Sequence, residues 1–450
     1  MRLFKLPEGA RFSNKDIFQF MLPVLFEQFM IAGLKIADTY MVSFISESAV
    51  AGVSLVSTID TFVKQFLSAL AIGGTVVLSQ YIGAKDHDNA EKSLKNNIQI
   101  VLLLGLLVTL IMVLFKAPIL NFLFGSAEKS VIDASSSYFT YTALSYPFFS
   151  LYYIATSAFR SMGETKIPLY ASVFMMIVNL ILKYIFIFHM DMQVLGAALS
   201  TLLSVVFVGF VLLFMLFSHH NKVRLTSLVP DVDIKMTKRI LKVSVPNGIE
   251  QAMFQFGILA IANLISTLGT AAIAAHALAQ SITPLLYSLG ASFNAVIIVV
   301  VGRCMGADDA DEAEFYIKHI LKLDYICTII NAALLLAFLK PIISMFGVSQ
   351  EANELAFCVV CVYTLFSIGF YPTSFALAAA LRGSGDTKFV MLVSTLSMFI
   401  FRIGAAYFFV NALHLSLVGT WLAMGLDWVI RSGIFYIRYK RKKWKLNRVI

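Results

Sequence analysis

The feature that most limits what this chain can fold into is a series of apolar runs, each about 20 residues long. Two of them read "IQIVLLLGLLVTLIMVLF" and "GAALSTLLSVVFVGFVLLFMLF". Because an α-helix rises about 1.5 Å per residue, a run of this length crosses the roughly 30 Å hydrocarbon core of a bilayer. Only 14% of the 450 residues are charged, against about 25% in a soluble domain. The sequence therefore predicts an all-α integral membrane protein.

About twelve membrane spans are predicted from these runs. Lys and Arg concentrate at both ends of the chain and in alternate loops, whereas a loop such as "SFISESA" contains neither. This asymmetry predicts cytoplasmic termini, and it accounts for the net charge of +9 without a nucleic-acid partner. No cleaved signal sequence is expected. The predicted spans are 16–43, 50–81, 95–116, 134–159, 167–189, 194–218, 240–267, 273–302, 317–340, 354–381, 388–410 and 415–438.

Short motifs of the first half return in the second half. "PVLFEQ" at 23–28 matches "PNGIEQ" at 246–251, 223 positions later (246 − 23). "YIGAKDHDNAE" and "CMGADDADEAE" share that offset, and "FRSMGETK" and "LRGSGDTK" are 222 positions apart (381 − 159). Several motifs in one register indicate an internal duplication.

The duplication predicts two pseudo-symmetric lobes of six spans. Six is an even number, so both lobes have the same orientation and are related by an axis along the membrane normal. The substrate site of such a transporter lies between the repeats near mid-membrane. The predicted parts are a cytoplasmic N-terminus (1–15), an N-lobe (16–218), a cytoplasmic linker (219–239), a C-lobe (240–438) and a basic cytoplasmic tail (439–450).

The repeated motifs also carry a resemblance to a known family. Each half opens with a proline followed by an acid, and "SQYIGAKDHDNAEKS", "AFRSMGETKIP", "VNLILKYIFI" and "ALRGSGDTK" follow in order. In this order the chain resembles the multidrug and toxic compound extrusion (MATE) transporters of the MOP flippase superfamily, and its bacterial, DinF-like branch. The resemblance covers nearly the whole chain and implies a V-shaped bundle of two six-helix lobes.

The resemblance also implies a function. MATE transporters export amphipathic, often cationic compounds, driven by inward flow of H⁺ or Na⁺. A small organic cation or drug-like molecule is therefore the expected substrate, lipid the expected surroundings, and the bacterial plasma membrane the expected location. The lobes are expected to work as a monomer, without cofactor or bound metal.

Glu27 and Glu250 are repeated acids near the middle of predicted spans. A charge inside a span costs about 2.5–3.5 kcal/mol on insertion scales, so each acid is a candidate for function. Low dielectric favours the neutral carboxyl, which suits either ion coupling or a static hydrogen bond between helices. Glu250 matches the seventh-helix acid that the family uses for cations. The tenth helix, "YTLFSIGFYPTSFALAAALR" at 363–382, carries no acid to join it.

Asp38 lies in the first half, where Ile261 takes its place in the second. It matches the first-helix aspartate implicated in coupling in the DinF-like branch. Its implied partners there are an Asn, an Asp and a Thr; here the matching residues are Asn179, Lys183 and Thr201. Lys183 therefore replaces an acid, and we expect its ammonium to pair with Asp38 in place of a bound cation. The pair is either a static ion pair or a switch opened by protonation or by a cationic substrate, and it favours H⁺ over Na⁺.

Other charges within the spans leave a second function open. Lys35 and Arg402 are candidate cavity charges, and together with Lys183 they keep a flippase for a lipid-linked saccharide as the alternative. An enzyme is not expected, because the chain has no HExxH, nucleophile motif or paired aspartates for a magnesium diphosphate. It also lacks a Walker A loop, which argues against an ATP-driven pump.

Overall fold

The computed structural model describes residues 11–124, 128–227, 233–346 and 348–450. These residues are almost entirely helical and contain no β-strand. They include two π-helical turns, Ile185–His189 and Met398–Gly404, and one 3₁₀ turn, Lys443–Leu446. The helices are α1 (Asn14–Ser43), α2 (Glu47–Gly83), α3 (His87–Leu114), α4 (Lys116–Phe124), α5 (Lys129–Met162), α6 (Lys166–Tyr184), α7 (Gln193–Met215), α8 (Ile234–Ser266), α9 (Thr270–Ile282), α10 (Pro284–Gly306), α11 (Ala310–Ser344), α12 (Gln350–Ser384), α13 (Thr387–Ser397), α14 (Ala405–Asn411) and α15 (Ser416–Lys440).

The length and hydropathy of these helices fit repeated crossing of a membrane. Within the described ranges, nine helices or joined helices are long and apolar enough to span a bilayer. Three more, α1, α5 and α15, are 30, 34 and 25 residues long and take the places of the remaining predicted spans. The prediction of an all-α membrane protein is confirmed.

One predicted span is divided in two. The sequence predicts a continuous helix over 273–302, but α9 ends at Ile282 and α10 begins at Pro284. Proline has no N–H to donate, and its ring clashes with the carbonyl group four residues earlier. In the first half Thr61 stands where Pro284 stands in the second, and α2 runs unbroken through it. The two halves therefore differ here at a position where only the second half has a proline.

The helices of the two halves pack in the same order. In the first half α5 lies against α2, α3 and α7; in the second half α12 lies against α10, α11 and α15. Each central helix ends in a glycine with positive φ, Gly163 at 87° and Gly385 at 103°. These are the glycines of "FRSMGETK" and "LRGSGDTK", so the repeated turn motif ends the central helix of each half.

The duplication extends to backbone conformation at residues other than glycine. Lys85 and Asp308 both have positive φ, at 58° and 63°, directly before the acid that caps the next helix. The capping acids are Asp86, whose side chain accepts from Asn89 N–H, and Asp309, whose side chain accepts from Glu312 N–H. Left-handed backbone is unfavourable for L-residues, so its return at one offset is strong evidence of a shared fold. Further pairs at this offset are Asp191 with His414 and Gln193 with Ser416.

By its contacts the chain forms two compact units. The first unit is Leu22–Gly248, and the second unit takes the chain up to Met21 together with Ile249–Ile450. The division falls inside α1 and α8, so each of these helices contributes its first turns to the unit of the other half. The lobe limits drawn from the predicted spans stay a prediction.

Equivalent polar contacts hold the first turns of the two helices. In the first unit, Thr237 near the start of α8 donates to Asn96 Oδ1 over 3.2 Å. In the second unit, Asn14 at the start of α1 lies with Oδ1 2.6 Å from His319 Nε2. Thr237 and Asn14 are equivalent in the repeat, as are Asn96 and His319. The exchange of helix starts is therefore reciprocal.

Candidate functional site

The repeated glutamates are each paired with a repeated arginine. In the first unit, Arg160 Nη2 lies 2.5 Å from Glu27 Oε2, and Glu27 is only 2% exposed. In the second unit, Arg382 Nη2 lies 2.6 Å from Glu250 Oε1. Both arginines belong to the repeated turn motif at the end of the central helix.

These arginines change the interpretation of the two acids. From the sequence, one interpretation of each acid is a neutral carboxyl that is hydrogen-bonded to a neighbouring helix. In the structure, each glutamate instead has a guanidinium group as its counter-charge. Removing one member of a buried ion pair leaves the other charge uncompensated, which is strongly destabilising. A cationic molecule would have to displace Arg160 or Arg382 to reach its carboxylate. The nearly equal spacing of the arginines from the glutamates, 133 and 132 residues, is a sequence signal that could have indicated the pairing.

Asp38 and Lys183 form the second polar centre of the first unit. Lys183 Nζ on α6 donates to Asp38 Oδ1 on α1. The lysine side chain is 1% exposed and the aspartate side chain 29% exposed. The ammonium is therefore enclosed by protein, while its counter-ion keeps access to solvent or to a ligand.

A hydrogen-bonded group on α6 and α7 lies beside this pair. Asn179, one turn before Lys183, donates through Nδ2 to Thr201 Oγ1 at 3.1 Å and to Ser204 Oγ at 3.3 Å. The π-helical turn Ile185–His189 begins two residues after Lys183. Such turns are rare and frequently mark functional sites. The structure thus brings together four predicted site residues of the first half.

A third ion pair borders the same centre. Lys64 Nζ lies 2.8 Å from Asp60 Oδ2, as its spacing of four residues predicts, and 3.9 Å from the centre of the Phe149 ring. Tyr138 is an electrostatic neighbour of both Asp38 and Asp60. The pairs Asp38–Lys183 and Asp60–Lys64 balance in charge, so one added proton or organic cation leaves a net positive charge.

The second unit has a different charge balance at the equivalent place. Asp427 is fully buried and accepts from Ser397 Oγ at 2.5 Å, while Arg402 and Arg431 approach it to 3.9 and 3.8 Å. Arg431 also donates to Ser374 Oγ. Arg402 stands at the repeat position of Asn179, within the π-helical turn Met398–Gly404. Two guanidinium groups facing one carboxylate leave this cluster with an excess positive charge.

For Lys35, the remaining predicted site residue, no side-chain contact can be described. Lys35 lies in α1, but its side chain falls outside the described part of the structure.

Glu27 is 11 residues before Asp38 on α1, about 16 Å along the helix axis. The first unit therefore has two separate polar centres, one at Glu27 and one at Asp38.

The comparison with protein families agrees with the duplication. The MatE family model matches residues 23–185 and again residues 246–408. The two matches are offset by 223 positions (246 − 23), as the repeated motifs are, and together they cover most of the chain. The chain therefore belongs to the MatE family of multidrug efflux transporters, which confirms the resemblance found in the sequence.

Curated relatives align along nearly their whole length. A probable multidrug resistance protein NorM of Thermotoga maritima is 24% identical over 441 residues, covering 97% of this chain and 94% of that one. A protein of the same name from Listeria monocytogenes is 25% identical, covering 98% and 96%. The uncharacterized transporter YisQ of Bacillus subtilis is 23% identical, covering 98% and 96%.

Solved structures show the same fold. An outward-facing multidrug resistance MATE family transporter of the MOP superfamily superposes with a TM-score of 0.89 at 19% identity, covering 96% of each chain. A crystal structure of MATE in complex with MaL6 gives a TM-score of 0.88 at 20% identity, covering 96% of this chain and 97% of the other. At these identities the likeness establishes the architecture of twelve helices in two halves.

Proposed function

We propose that the protein is a secondary active exporter that expels amphipathic organic cations from a bacterial cell in exchange for protons. It acts as a monomer in the plasma membrane, with both termini in the cytoplasm, and alternates access between its halves. The observation that carries the proposal is the Asp38–Lys183 pair, in which a partly exposed acid is held by a buried base.

The pair supplies a reason for exchange. Asp38 has one negative charge, and the Lys183 ammonium already neutralises it. A proton bound to Asp38 removes that charge, and an organic cation must compete with Lys183 for it. Because either event breaks the same ion pair, proton and substrate exclude each other. A buried ammonium without a counter-ion is costly, so each event favours a rearrangement of the surrounding helices.

The same pair favours H⁺ over Na⁺. A hard metal cation needs several oxygen ligands at short distance. Here the Lys183 ammonium donates to one of the two Asp38 oxygens, and its positive charge repels a metal ion. Proton binding needs only one oxygen.

A second candidate function rests on the second unit. The excess positive charge of Arg402 and Arg431 against Asp427 suits an anionic, lipid-like substrate such as a lipid-linked saccharide. Arg402 also lies over the Phe254 ring, at 5.3 Å, which gives it an apolar neighbour for such a molecule. A flippase of this kind would depend on the arginines and not on Asp38.

The deciding experiment is transport of a fluorescent cationic dye in proteoliposomes, with imposed H⁺ and Na⁺ gradients applied separately. We expect dye movement with the H⁺ gradient, and its loss in Asp38→Asn. Lys318→Ala is the matched control, because it removes an exposed lysine from an ion pair far along the sequence. Dye movement with the Na⁺ gradient alone would refute proton coupling. Gradient-independent behaviour of the dye, with loss of lipid-linked saccharide movement in Arg402→Gln, would support the second candidate.

A further inference from the structure

The second unit contains a buried acid, Asp324, that belongs neither to a repeated motif nor to the site described above. Asp324 lies within α11 and is 0% exposed. Its Oδ1 accepts from the Thr328 hydroxyl at 3.4 Å, one turn later, and its Oδ2 has no hydrogen-bond partner. Val101 stands at the equivalent position of the first half, so no repeated motif draws attention to this acid.

Unlike the acids of the site and the other fully buried acids, Asp324 has no cation beside it within the described part of the chain. Glu27, Asp38 and Glu250 each have a basic side chain within ion-pair distance. Asp386 and Asp427 do as well. Among the described residues, no Lys, Arg or His forms an ion pair with Asp324. An isolated carboxylate in a dry, low-dielectric interior is far more costly than a neutral carboxylic acid.

We infer that Asp324 is a proton-binding site in the second unit and a second carrier of the coupling proton. The inference rests on the proposed proton-driven export. In the present conformation the carboxyl group is protonated. When water reaches it, the O–H bond breaks heterolytically, the proton passes to water and the carboxylate keeps the electron pair. Return to the closed packing requires a proton to be taken up again.

The groups around Asp324 explain why the proton is held. The main contacts of α11 are with α10 and α12, and the start of α1 contacts it at His319. From α12, Tyr371 is an electrostatic neighbour of the acid, and its ring stacks on Phe375. The titratable groups of α10 are Tyr287, Arg303 and Cys304, and the last two lie in its final turn. On α11 itself Tyr325 and Cys327 are neighbours, whereas Lys322 is exposed.

A weak point of α12 lies beside this acid and offers a route for water. Pro372 leaves the carbonyl of Ile368 without its helical N–H partner, and helices bend at such positions. Tyr325, next to Asp324, bonds through its hydroxyl to the Gly369 carbonyl at 3.1 Å and to the Thr373 hydroxyl. One side chain of α11 therefore bridges the proline on both sides. Straightening or further bending of α12 would change the packing over Asp324.

Tyr371 completes the cover over the acid. A side chain at Gly290 would place its Cβ 2.3 Å from the Tyr371 ring, so the ring lies directly on the backbone of α10. The Tyr371 hydroxyl donates to the Tyr287 carbonyl at 3.4 Å. The aromatic ring thus seals the gap between α10 and α12, and it must move before the proton can leave.

The first test reads the protonation state directly, without transport. Infrared difference spectra of wild type against Asp324→Asn, at pH 7, are expected to contain the carbonyl stretch of a protonated carboxylic acid. Thr328→Val is expected to keep this band and shift its frequency, because it removes only the hydrogen bond to Oδ1. A carboxylate band in place of the acid band would overturn the inference.

The second test measures coupling. Asp324→Asn imitates the protonated acid, so we expect dye binding at pH 7 to stay within about twofold and proton-driven transport to fall about tenfold or more. Asp324→Val, which copies the residue of the first half, should behave in the same way and serves if the amide variant folds poorly. Undiminished transport in both variants would show that the proton is static and overturn the carrier role. Absence of transport in wild type would refute the proposed function but leave the infrared result intact.

Discussion

At the scale of single residues, the acids and bases within the membrane differ in how deeply each partner is enclosed. Lys183 is enclosed and Asp38 is not, whereas Glu27 is enclosed and its partner Arg160 is 21% exposed. The less buried partner is the one that a proton or ligand reaches first. The more exposed partner is therefore an acid in the Asp38–Lys183 pair and a base in the Glu27–Arg160 pair.

Loss of Asp38 alone is expected to destabilise the protein more than loss of both partners. Asp38→Asn leaves the Lys183 ammonium buried without a counter-charge, and a broken buried pair costs about 3–5 kcal/mol. The double variant Asp38→Asn/Lys183→Met removes that charge and should recover most of the loss. Thermal unfolding of the purified protein in detergent measures both.

The control for this comparison is Lys318→Ala. Its lysine is 63% exposed and pairs with Glu314 one turn earlier, so we expect a change of about 0.5 kcal/mol or less. If the double variant is as unstable as the sum of its single variants, the two side chains do not act as a pair.

The sequence alone could indicate some of these residues and not others. Asp38, Asn179, Lys183 and Thr201 came from the family resemblance, and they do lie together in the first unit. Arg160 was hidden because a basic residue beside a glycine turn is also what orientation in the membrane predicts. Asp324 was hidden because a lone acid in an apolar run has no sequence signal for the absence of a partner.

At the scale of elements, the end of a helix can require one particular residue. Each of the two central helices ends at a glycine in the left-handed region, and the C-terminal segment closes over the second of them. A Cβ atom at Gly385 would lie 2.2 Å from the Asn447 carbonyl oxygen. Glycine is required there both by its φ of 103° and by this contact.

Gly385→Ala is therefore expected to lower the melting temperature clearly. The left-handed conformation alone costs an L-residue roughly 1–2 kcal/mol, and displacement of the C-terminal segment adds to this. Gly433→Ala is the matched control, because that glycine lies in α15 and its Cβ position has no described atom within 4 Å apart from its chain neighbours and the backbone of its own helix. In a helix interior, alanine is favoured over glycine by about 1 kcal/mol, so the control should be neutral or stabilising. Equal melting temperatures for the two variants would contradict the assigned role of Gly385.

Helix existence was predictable from the sequence, and helix continuity was not. Apolar runs of sufficient length identify the spans because the bilayer fixes their length. The division of α9 from α10 depends on whether a proline within a run kinks a helix or ends it, and that is decided by the helices packed around it. The short helix α4 was absent from the prediction because it merely continues an apolar run already assigned to α3.

At the scale of the whole molecule, contacts outside the membrane join segments far apart in sequence. In the second unit, Lys445 of the C-terminal segment lies 2.7 Å from Asp311 and 2.6 Å from Glu314 at the start of α11. Trp444 beside it is fully buried. In the first unit, Lys222, the repeat equivalent of Lys445, donates to the Met162 carbonyl at 3.0 Å. Each unit is thus closed by the segment that follows its last helix.

Two charged groups outside the spans, Asp86 and Lys445, make hydrogen bonds whose contribution to stability depends on pH. Hydrogen bonds from Asn89 lower the pKa of Asp86, so its contribution to stability is present above the ordinary value of 3.8 and is lost as pH falls through the lowered one. Burial opposes the charge of Lys445, but hydrogen bonds to Asp311 and Glu314 outweigh it and raise its pKa. That contribution is present below 10.5 and is lost as pH rises through the raised value.

The melting-temperature differences between wild type and Asp86→Ala, and between wild type and Lys445→Ala, should therefore be constant from about pH 5 to pH 9. The first difference should shrink in stronger acid and the second in stronger base. Scanning calorimetry across the pH range measures both. A difference that changes inside the window would mean that another group titrates with these contacts. If the differences are constant, neither Asp86 nor Lys445 accounts for a pH dependence of transport in that window.

The duplication itself was predictable from the sequence, but the exchange of helix starts was not. Equivalent motifs reveal that two halves share a fold, and they say nothing of which half a given turn touches. The contacts Asn14–His319 and Thr237–Asn96 join residues of opposite halves, and none of these four residues is part of a quoted motif. Such reciprocal pairing can be recognised only when distances are known.

The left-handed turns described above also bear on descent. Lys183 of the first half is equivalent in the repeat to Ala406 of the second half, so the two side chains have no chemical property in common. At another, Asp191 and His414 also differ in side chain, yet both keep φ near 50°, at 49° and 52°. Torsion angles thus preserve common ancestry after side chains have been replaced. The order of left-handed positions along a chain could identify remote kin whose amino-acid identity has faded to background.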